Sequence, residues 1–321
     1  MGFNRENYAK IKEEYDGKYL RAQEAALLRR SEVHAKLPEV AKIDLELSTL
    51  GIRIFEASIG GDRARLDAIN AESIELNKKR AAVMMSAGYP ANYTEIKYEC
   101  DECGDTGVVD YRMCRCMKDK LIRAGLESSG MCDLIERQTF DNFDLSFYTG
   151  EAYNRMVTIL SMAKKYAADF EPEKAASIIM LGNTGLGKTH ISSAMGGVII
   201  GNGNDVYYSG AVDMMADFES ERFGGDRISE TTSVTEKYYS CDLLIIDDLG
   251  TELINQFSTS CLYNVINSRL IRKKATIINT NFTRDELRKK YQDRITSRIF
   301  GEYLVWPFIG TDIREKKLQK R

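Results

Sequence analysis

The sequence predicts an α/β domain with a central parallel sheet, preceded by a helical N-terminal region and a small cysteine-rich module. Three observations predict it. From Pro172 onward, short apolar runs at 177–181, 205–209, 242–246 and 275–280 alternate with helical patterns, the rhythm of βα units whose strands are buried on both faces. No proline falls between 173 and 306, as suits a central sheet, because proline cannot donate to a strand ladder. Residues 3–36 are rich in Lys, Glu, Ala and Leu and free of proline, which reads as one helix ending near Pro38.

After Pro38, Val40, Ile43, Leu47, Leu50 and Ile54 recur at spacings of three and four, and beyond Gly60 and Gly61 a second set appears at Leu66, Ile69, Leu76 and Val83. Two antiparallel helices joined at the glycine pair would bury these stripes against each other. Position by position this is a helical bundle with solvated outer faces. As a whole, residues 1–94 are expected to form a module that holds a partner.

Length allows about two domains. Lys plus Arg number 45 against 48 Asp plus Glu, a net charge of −3 with pI near 5.7, so bulk charge does not announce a nucleic-acid binder. That average hides a basic end: residues 269–321 hold 15 Lys and Arg against six Asp and Glu. Any contact with a DNA backbone should therefore be local and salt-sensitive. The only histidines are His34 and His190, which leaves little for His-based triads. No apolar run approaches the roughly 18 residues of a membrane span and no signal peptide is evident, so a cytoplasmic protein with no membrane partner is expected.

Four of seven cysteines crowd into residues 95–120, as Cys100, Cys103, Cys114 and Cys116, with Gly104-Asp105-Thr106-Gly107 offering a tight turn between the halves. Four soft thiolates in one short segment favour a closed tetrahedral Zn²⁺ site. A Cys-x-x-Cys redox pair and an iron–sulfur cluster are the alternatives. Residues 121–321 are expected to be the nucleotide-binding domain, beginning with a linker helix and the aromatic stretch Thr139-Phe140-Asp141-Asn142-Phe143-Asp144.

The apolar run 177–181 leads into Gly182-Asn183-Thr184-Gly185-Leu186-Gly187-Lys188-Thr189, then His190 and a helical stretch. Glycines there turn successive N–H groups toward phosphate at a helix N-terminus. Gly182 through His190 are thus candidate ATP ligands, with Lys188 reaching the β and γ phosphates and Thr189 offering its hydroxyl to Mg²⁺. Leu243-Leu244-Ile245-Ile246 then delivers Asp247 and Asp248. Asp247 is assigned to the Mg²⁺ shell, while Asp248 either orients or deprotonates the attacking water or is a solvated strand end. The run ending in Asn279-Thr280-Asn281 puts Asn281 where it can bond the γ-phosphate or the water, with Asn279 more structural. Arg294 and Arg298 lie four apart on one helix face. An arginine offered to a neighbouring subunit's γ-phosphate contributes roughly 10³ to 10⁵ in turnover, and Arg298 is the candidate.

Gly182–Thr189, LLIIDDLG at 243–250 followed by Thr251-Glu252, TIINTNF at 276–282 and Phe308-Ile309-Gly310-Thr311-Asp312-Ile313-Arg314 together resemble the AAA+ ATPases of the DnaC/DnaI/IstB group. The cysteine cluster and TFDNFDL at 139–145 are similar to helicase loaders of the DnaI type. The resemblance covers residues 95–321. It implies an AAA+ ATPase that uses ATP to place a replicative helicase on single-stranded DNA, gripping the helicase through its N-terminal region and self-associating through the ATPase domain. It further implies Asn281 as sensor 1, Arg298 as the arginine finger and Arg314 as a sensor 2 residue on the same subunit's γ-phosphate. Two alternatives stand beside it: a transposition helper ATPase of the IstB type, and a nucleotide-gated switch that scarcely hydrolyses ATP.

Overall fold

The computed structural model describes residues 3–60, 63–223, 233–291 and 293–314. Part of the acidic stretch 211–240, between Lys188 and Asp247, lies outside the described residues. Two compact units divide the chain, Lys12–Cys116 and Met1–Ile11 with Met117–Arg321.

The first is built on α1 (Arg5–Lys36), α2 (Pro38–Gly60) and α3 (Arg63–Ser86). Pro38 occupies the first position of α2, where its missing N–H costs nothing. The stripes seen in the sequence meet as expected. Leu50, Ala57 and Ile69 are buried between α2 and α3 with Leu47, Ile54, Leu66 and Leu76 around them, and Val33, Val40 and Met84 close the other end. A polar knot ties the three helices: Arg80 Nε donates to Asp44 Oδ1 at 2.6 Å, His34 Nε2 lies 2.7 Å from Asp44 Oδ2, and Arg30 Nε is 3.4 Å away.

Burial alone would raise the Asp44 carboxyl, but hydrogen bonds from Arg80 and His34 and the charges of Arg80 and Arg30 hold it below the usual carboxylate range. A depressed pKa contributes stability that is full above the unfolded value of about 4 and is lost as pH falls through the folded value. Asp44→Ala, which strands the Arg80 guanidinium, is expected to cost this unit about 3 kcal/mol in urea unfolding at pH 7. The difference from the unmodified protein should shrink below pH 4.

From Glu95 to Cys116 the only ladder is a two-residue hairpin, β1 (Val108–Val109) with β2 (Arg112–Met113). Then α4 (Arg115–Ser128) runs through the expected module limit at residue 120 and is followed by α5 (Cys132–Arg137) and α6 (Gly150–Ala168).

The second unit holds β3 (Ile178–Leu181), α7 (Lys188–Gly201), β4 (Val206–Gly210), α8 (Ala211–Phe223), α9 (Glu236–Ser240), β5 (Leu243–Leu249), α10 (Gln256–Ile271), β6 (Ala275–Thr280), α11 (Arg284–Lys290), α12 (Asp293–Glu302) and β7 (Leu304–Pro307). The five strands are parallel in the order β4-β5-β6-β3-β7. Successive side chains feed opposite faces. Ile178, Met180, Ile245 and Ile277 pack with Met156 and Ile159 of α6 and Ile191 and Met195 of α7. Ile179, Leu244, Ile246 and Ile278 pack with Met214 of α8, Leu262 and Val265 of α10 and Ile295 of α12. The result is a three-layer α/β core with the carboxyl ends of β3, β5 and β6 side by side. The edge strand β7 was not expected from the sequence. Its proline is tolerated because, among the described residues, one side of the strand has no partner in the sheet. Among the described residues no helix is long and apolar enough to cross a membrane.

Candidate nucleotide-binding site

Strand β3 ends at Leu181 and α7 begins at Lys188, so the segment between them is a turn at a helix N-terminus. Gly187, the residue before α7, has φ of +87°, and a Cβ there would lie 2.8 Å from the Tyr148 hydroxyl. A Cβ on Gly182 would lie 2.4 Å from the Phe308 carbonyl. Both positions therefore demand glycine. Lys188 curls over the turn: its Nζ donates to the carbonyls of Gly182 at 2.6 Å and Asn183 at 2.8 Å, and to Asn281 Oδ1 at 2.7 Å. Burial is the main cause that lowers its pKa to about 8, with Asp248 and Asp247 pulling the other way and Arg314 adding to the fall.

A cavity of about 220 Å³ opens beside the turn. Thr184, Gly185, Leu186, Gly187, Lys188, Thr189, His190, Asp248, Asn281 and Arg314 all line it. Asn183 faces an adjoining shallow depression with Thr311 and Asp312. Thus almost every residue picked from the sequence converges on one place.

Asp247 sits just behind Thr189, 5% exposed, with Thr189 Oγ1 donating to its two oxygens at 2.9 and 3.2 Å. Tyr208 of β4 donates its phenol to Asp247 Oδ2 at 2.6 Å, and Asn279 Nδ2 donates to Oδ1 at 2.8 Å and to Ser192 Oγ at 2.8 Å. Hydroxyl and carboxylate oxygens are the hard donors that Mg²⁺ takes alongside phosphate, so Thr189 and Asp247 fit that ion. Tyr208 and Asn279 fix the carboxylate's orientation. Tyr208 escaped the sequence reading because its contact depends on β4 pairing with β5 so that Gly210 aligns with Asp247. Asn279 plays the structural part expected of it.

Asp248 is exposed and adopts φ of +51°, a left-handed conformation that costs on the order of 1 kcal/mol in a non-glycine residue. Asn281 Nδ2 donates to Asp248 Oδ1 at 3.2 Å. Asn281 therefore bridges Lys188 and Asp248 and stands between the phosphate-binding turn and the candidate water-activating acid. Arg314 joins this cavity, its backbone N–H held by Asp312 Oδ1 at 2.7 Å. Arg298 does not line it. Its guanidinium leans on Tyr263, with Nη2 3.0 Å from the phenol oxygen and the ring centroid 5.3 Å away, and Arg294 on the same helix is exposed.

A further wall comes from the aromatic stretch, Asn142, Phe143, Phe147 and Tyr148, joined by Gln138, with Tyr148 donating to the Leu186 carbonyl of the phosphate turn at 3.0 Å. His190 ties this wall to α7, its Nε2 2.8 Å from the Thr139 carbonyl and its ring edge-on to Phe143 at 5.0 Å. His190 thus both lines the cavity and touches this wall.

In the other unit, the sulfur atoms of Cys100, Cys103, Cys114 and Cys116 all lie within 4.8 Å of one another, with 3.9 Å between Cys100 and Cys114 and 3.6 Å between Cys103 and Cys116. Zn–S bonds of about 2.3 Å in a tetrahedron require sulfur separations of about 3.8 Å. The four thiols are free and fit a metal. Asp105, buried and at φ of +57°, accepts the N–H groups of Glu99 and Cys100 at 2.9 Å each and so shapes the knuckle around Cys100. Burial pushes the Cys103 thiol up and the Cys114 thiol up to about 12, whereas the N–H of Cys103 lowers Cys100. A divalent cation would hold all four as thiolates.

The model of IstB-like ATP binding proteins matches residues 108–304. A replicative helicase loader DnaC from Buchnera aphidicola is 25% identical over 181 residues, which is 56% of this chain and 70% of the relative. A putative insertion sequence ATP-binding protein from Sinorhizobium fredii is 32% identical over 111 residues, 35% of this chain and 36% of the relative. The crystal structure of a DnaC helicase loader aligns with 19% identity and a TM-score of 0.46 over 55% of this chain and 99% of that one. Because the family model spans well over half of the chain and contains the phosphate turn, Asp247 and Asn281, this protein belongs to the IstB-like ATP-binding family.

Proposed function

We propose that this protein is an ATPase that loads a replicative helicase onto single-stranded DNA, with residues 1–94 gripping the helicase and the ATPase domain self-associating. The observation that carries the reading is the joining of Lys188, Thr189, Asp247, Asp248 and Asn281 around one cavity in a chain whose DnaC relatives match over 70% of their length. When bound, Mg²⁺ would be held by Thr189 and Asp247 and would supply positive charge to neutralise the phosphates. Lys188 exchanges its carbonyl and Asn281 partners for phosphate oxygens, which frees Asn281 to hold the attacking water toward Asp248. Asp248 accepts that water's proton. Arg298, outside its own chain's cavity, is offered to the γ-phosphate of an adjacent subunit, and Arg314 reaches the γ-phosphate of its own. The four cysteines hold a structural Zn²⁺ that staples the segment 95–116.

A second reading is favoured by the Sinorhizobium relative: a helper ATPase that delivers a transposase to DNA. One experiment separates the two. Full-length protein is used as bait with ATP for the purified replicative helicase and, in parallel, for a transposase from the same genome. Retention of the helicase, lost when residues 1–94 are removed, is the expected result. Retention of the transposase alone would overturn the helicase reading and leave the ATPase assignment intact.

A further inference from the structure

We infer that Gln138 reads the base of the bound nucleotide by accepting a hydrogen bond from the adenine 6-amino group. The inference rests on the ATP-binding reading of the cavity and adds a residue outside the phosphate-binding motifs. Lys188, Thr189, Asp248 and Asn281 mark the place of the phosphates, which leaves the base the aromatic side of the cavity, where Phe143 and Phe147 offer apolar ring surface beside Gln138.

The polar groups of that wall are spoken for, with one exception. Asn142 donates Nδ2 to the Arg137 carbonyl at 2.9 Å and accepts the Thr139 N–H on Oδ1 at 2.9 Å. Asp144 accepts the Ser146 N–H at 2.8 Å, and Tyr148 donates to the Leu186 carbonyl at 3.0 Å. The Gln138 Oε1 atom is buried and has no hydrogen-bond partner. An orphaned buried acceptor is costly and calls for a reason. A donor delivered by the ligand is a sufficient one.

Gln138 is also held in advance. The Asn142 carboxamide grips the residues on both sides of it, Arg137 and Thr139, and its own N–H donates to the Leu134 carbonyl at 2.7 Å. A fixed backbone narrows where the carboxamide can reach, and such positioning serves base discrimination. Sites built to hydrogen-bond one ligand N–H reject analogues lacking it because the protein group is left unpaired.

The test compares binding of ATP with binding of purine riboside triphosphate, which lacks the 6-amino group, to full-length protein with Mg²⁺. The unmodified protein is expected to prefer ATP by about tenfold. Gln138→Leu should lose that preference to within about twofold, by weakening ATP and not the analogue, while Gln138→Glu, which keeps an acceptor, should retain it. The comparison in the unmodified protein needs no variant to fold. Equal affinity of the unmodified protein for the two nucleotides, or equal weakening of both in Gln138→Leu, overturns the inference and leaves ATP binding standing. Binding of neither nucleotide by the unmodified protein overturns the ATP-binding reading and this inference together.

Discussion

Lys188→Ala is expected to weaken ATP binding by about a hundredfold or more, since two charge-assisted hydrogen bonds to phosphate at about 1.5 kcal/mol or more apiece are lost. It should also abolish hydrolysis. The lysine lies 5% exposed over the phosphate turn, within 2.8 Å of two carbonyls and Asn281. Among the described residues no other ammonium lines the cavity. The same site predicts a pH dependence of definite sign. With its pKa lowered to about 8 in the nucleotide-free protein, Lys188 is largely charged at pH 7 and largely neutral at pH 9. A polyphosphate binds the charged form, so affinity should hold below pH 8 and fall by about tenfold per unit above it. The alanine variant should show a flat profile over this range. Titration of a fluorescent ATP analogue at pH 7, 8 and 9 measures both effects. Undiminished binding by Lys188→Ala, or a wild-type profile that stays flat to pH 9, would remove Lys188 from the phosphate site.

What could be read from the sequence and what could not divide along physical lines. The runs at 177–181, 242–246 and 275–280 became β3, β5 and β6 because parallel strands buried on both faces leave an unbroken apolar record, and the glycine-spaced turn after β3 has few other uses. Strand β7 left no such record: Leu304-Val305-Trp306-Pro307 is four residues at a sheet edge, half exposed, and ends in proline. The residues that met at the site from distant parts of the chain were predictable only where each carried its own motif, as Asp247 and Asn281 do. Tyr208 and Gln138 carry none. Tyr208 is a tyrosine on a strand until the β4–β5 register aims it at Asp247, and Gln138 is a polar residue after a short helix until the wall around it is seen to leave its carboxamide oxygen alone. The half-buried Arg298 shows the opposite limit. The role proposed for it concerns a second copy of the chain, and neither the helix spacing that suggested it nor the Tyr263 contact that supports its side chain supplies that copy.

Removing the metal from the four cysteines is expected to unfold the segment 95–116 and to release the N-terminal helix from it. That segment has only a two-residue hairpin as regular structure, so its order must come from cross-links. Metal binding to a four-thiolate site supplies on the order of 10 kcal/mol, far more than so short a stretch can gain from burial. The consequences reach α1, because the segment and its approach lie along that helix: Lys18 pairs with Glu99, Tyr19 stacks with Tyr98 at 6.2 Å, and Arg29 donates to the carbonyls of Tyr93 and Glu95 at 2.8 Å each. Chelation, or Cys103→Ser combined with Cys116→Ser, should therefore lower the melting temperature of the helical unit and expose residues 95–116 to protease. ATP affinity should change by no more than about twofold, because the P-loop unit has its own core on both faces of the sheet. One equivalent of zinc released per chain is the stoichiometry to find. Iron with visible absorbance would favour the cluster alternative, and a metal-free protein whose thiols pair reversibly on oxidation would favour the redox one. In either case the staple, and with it the expected loosening of α1 by chelators, would be replaced by a response to electrons instead of to metal.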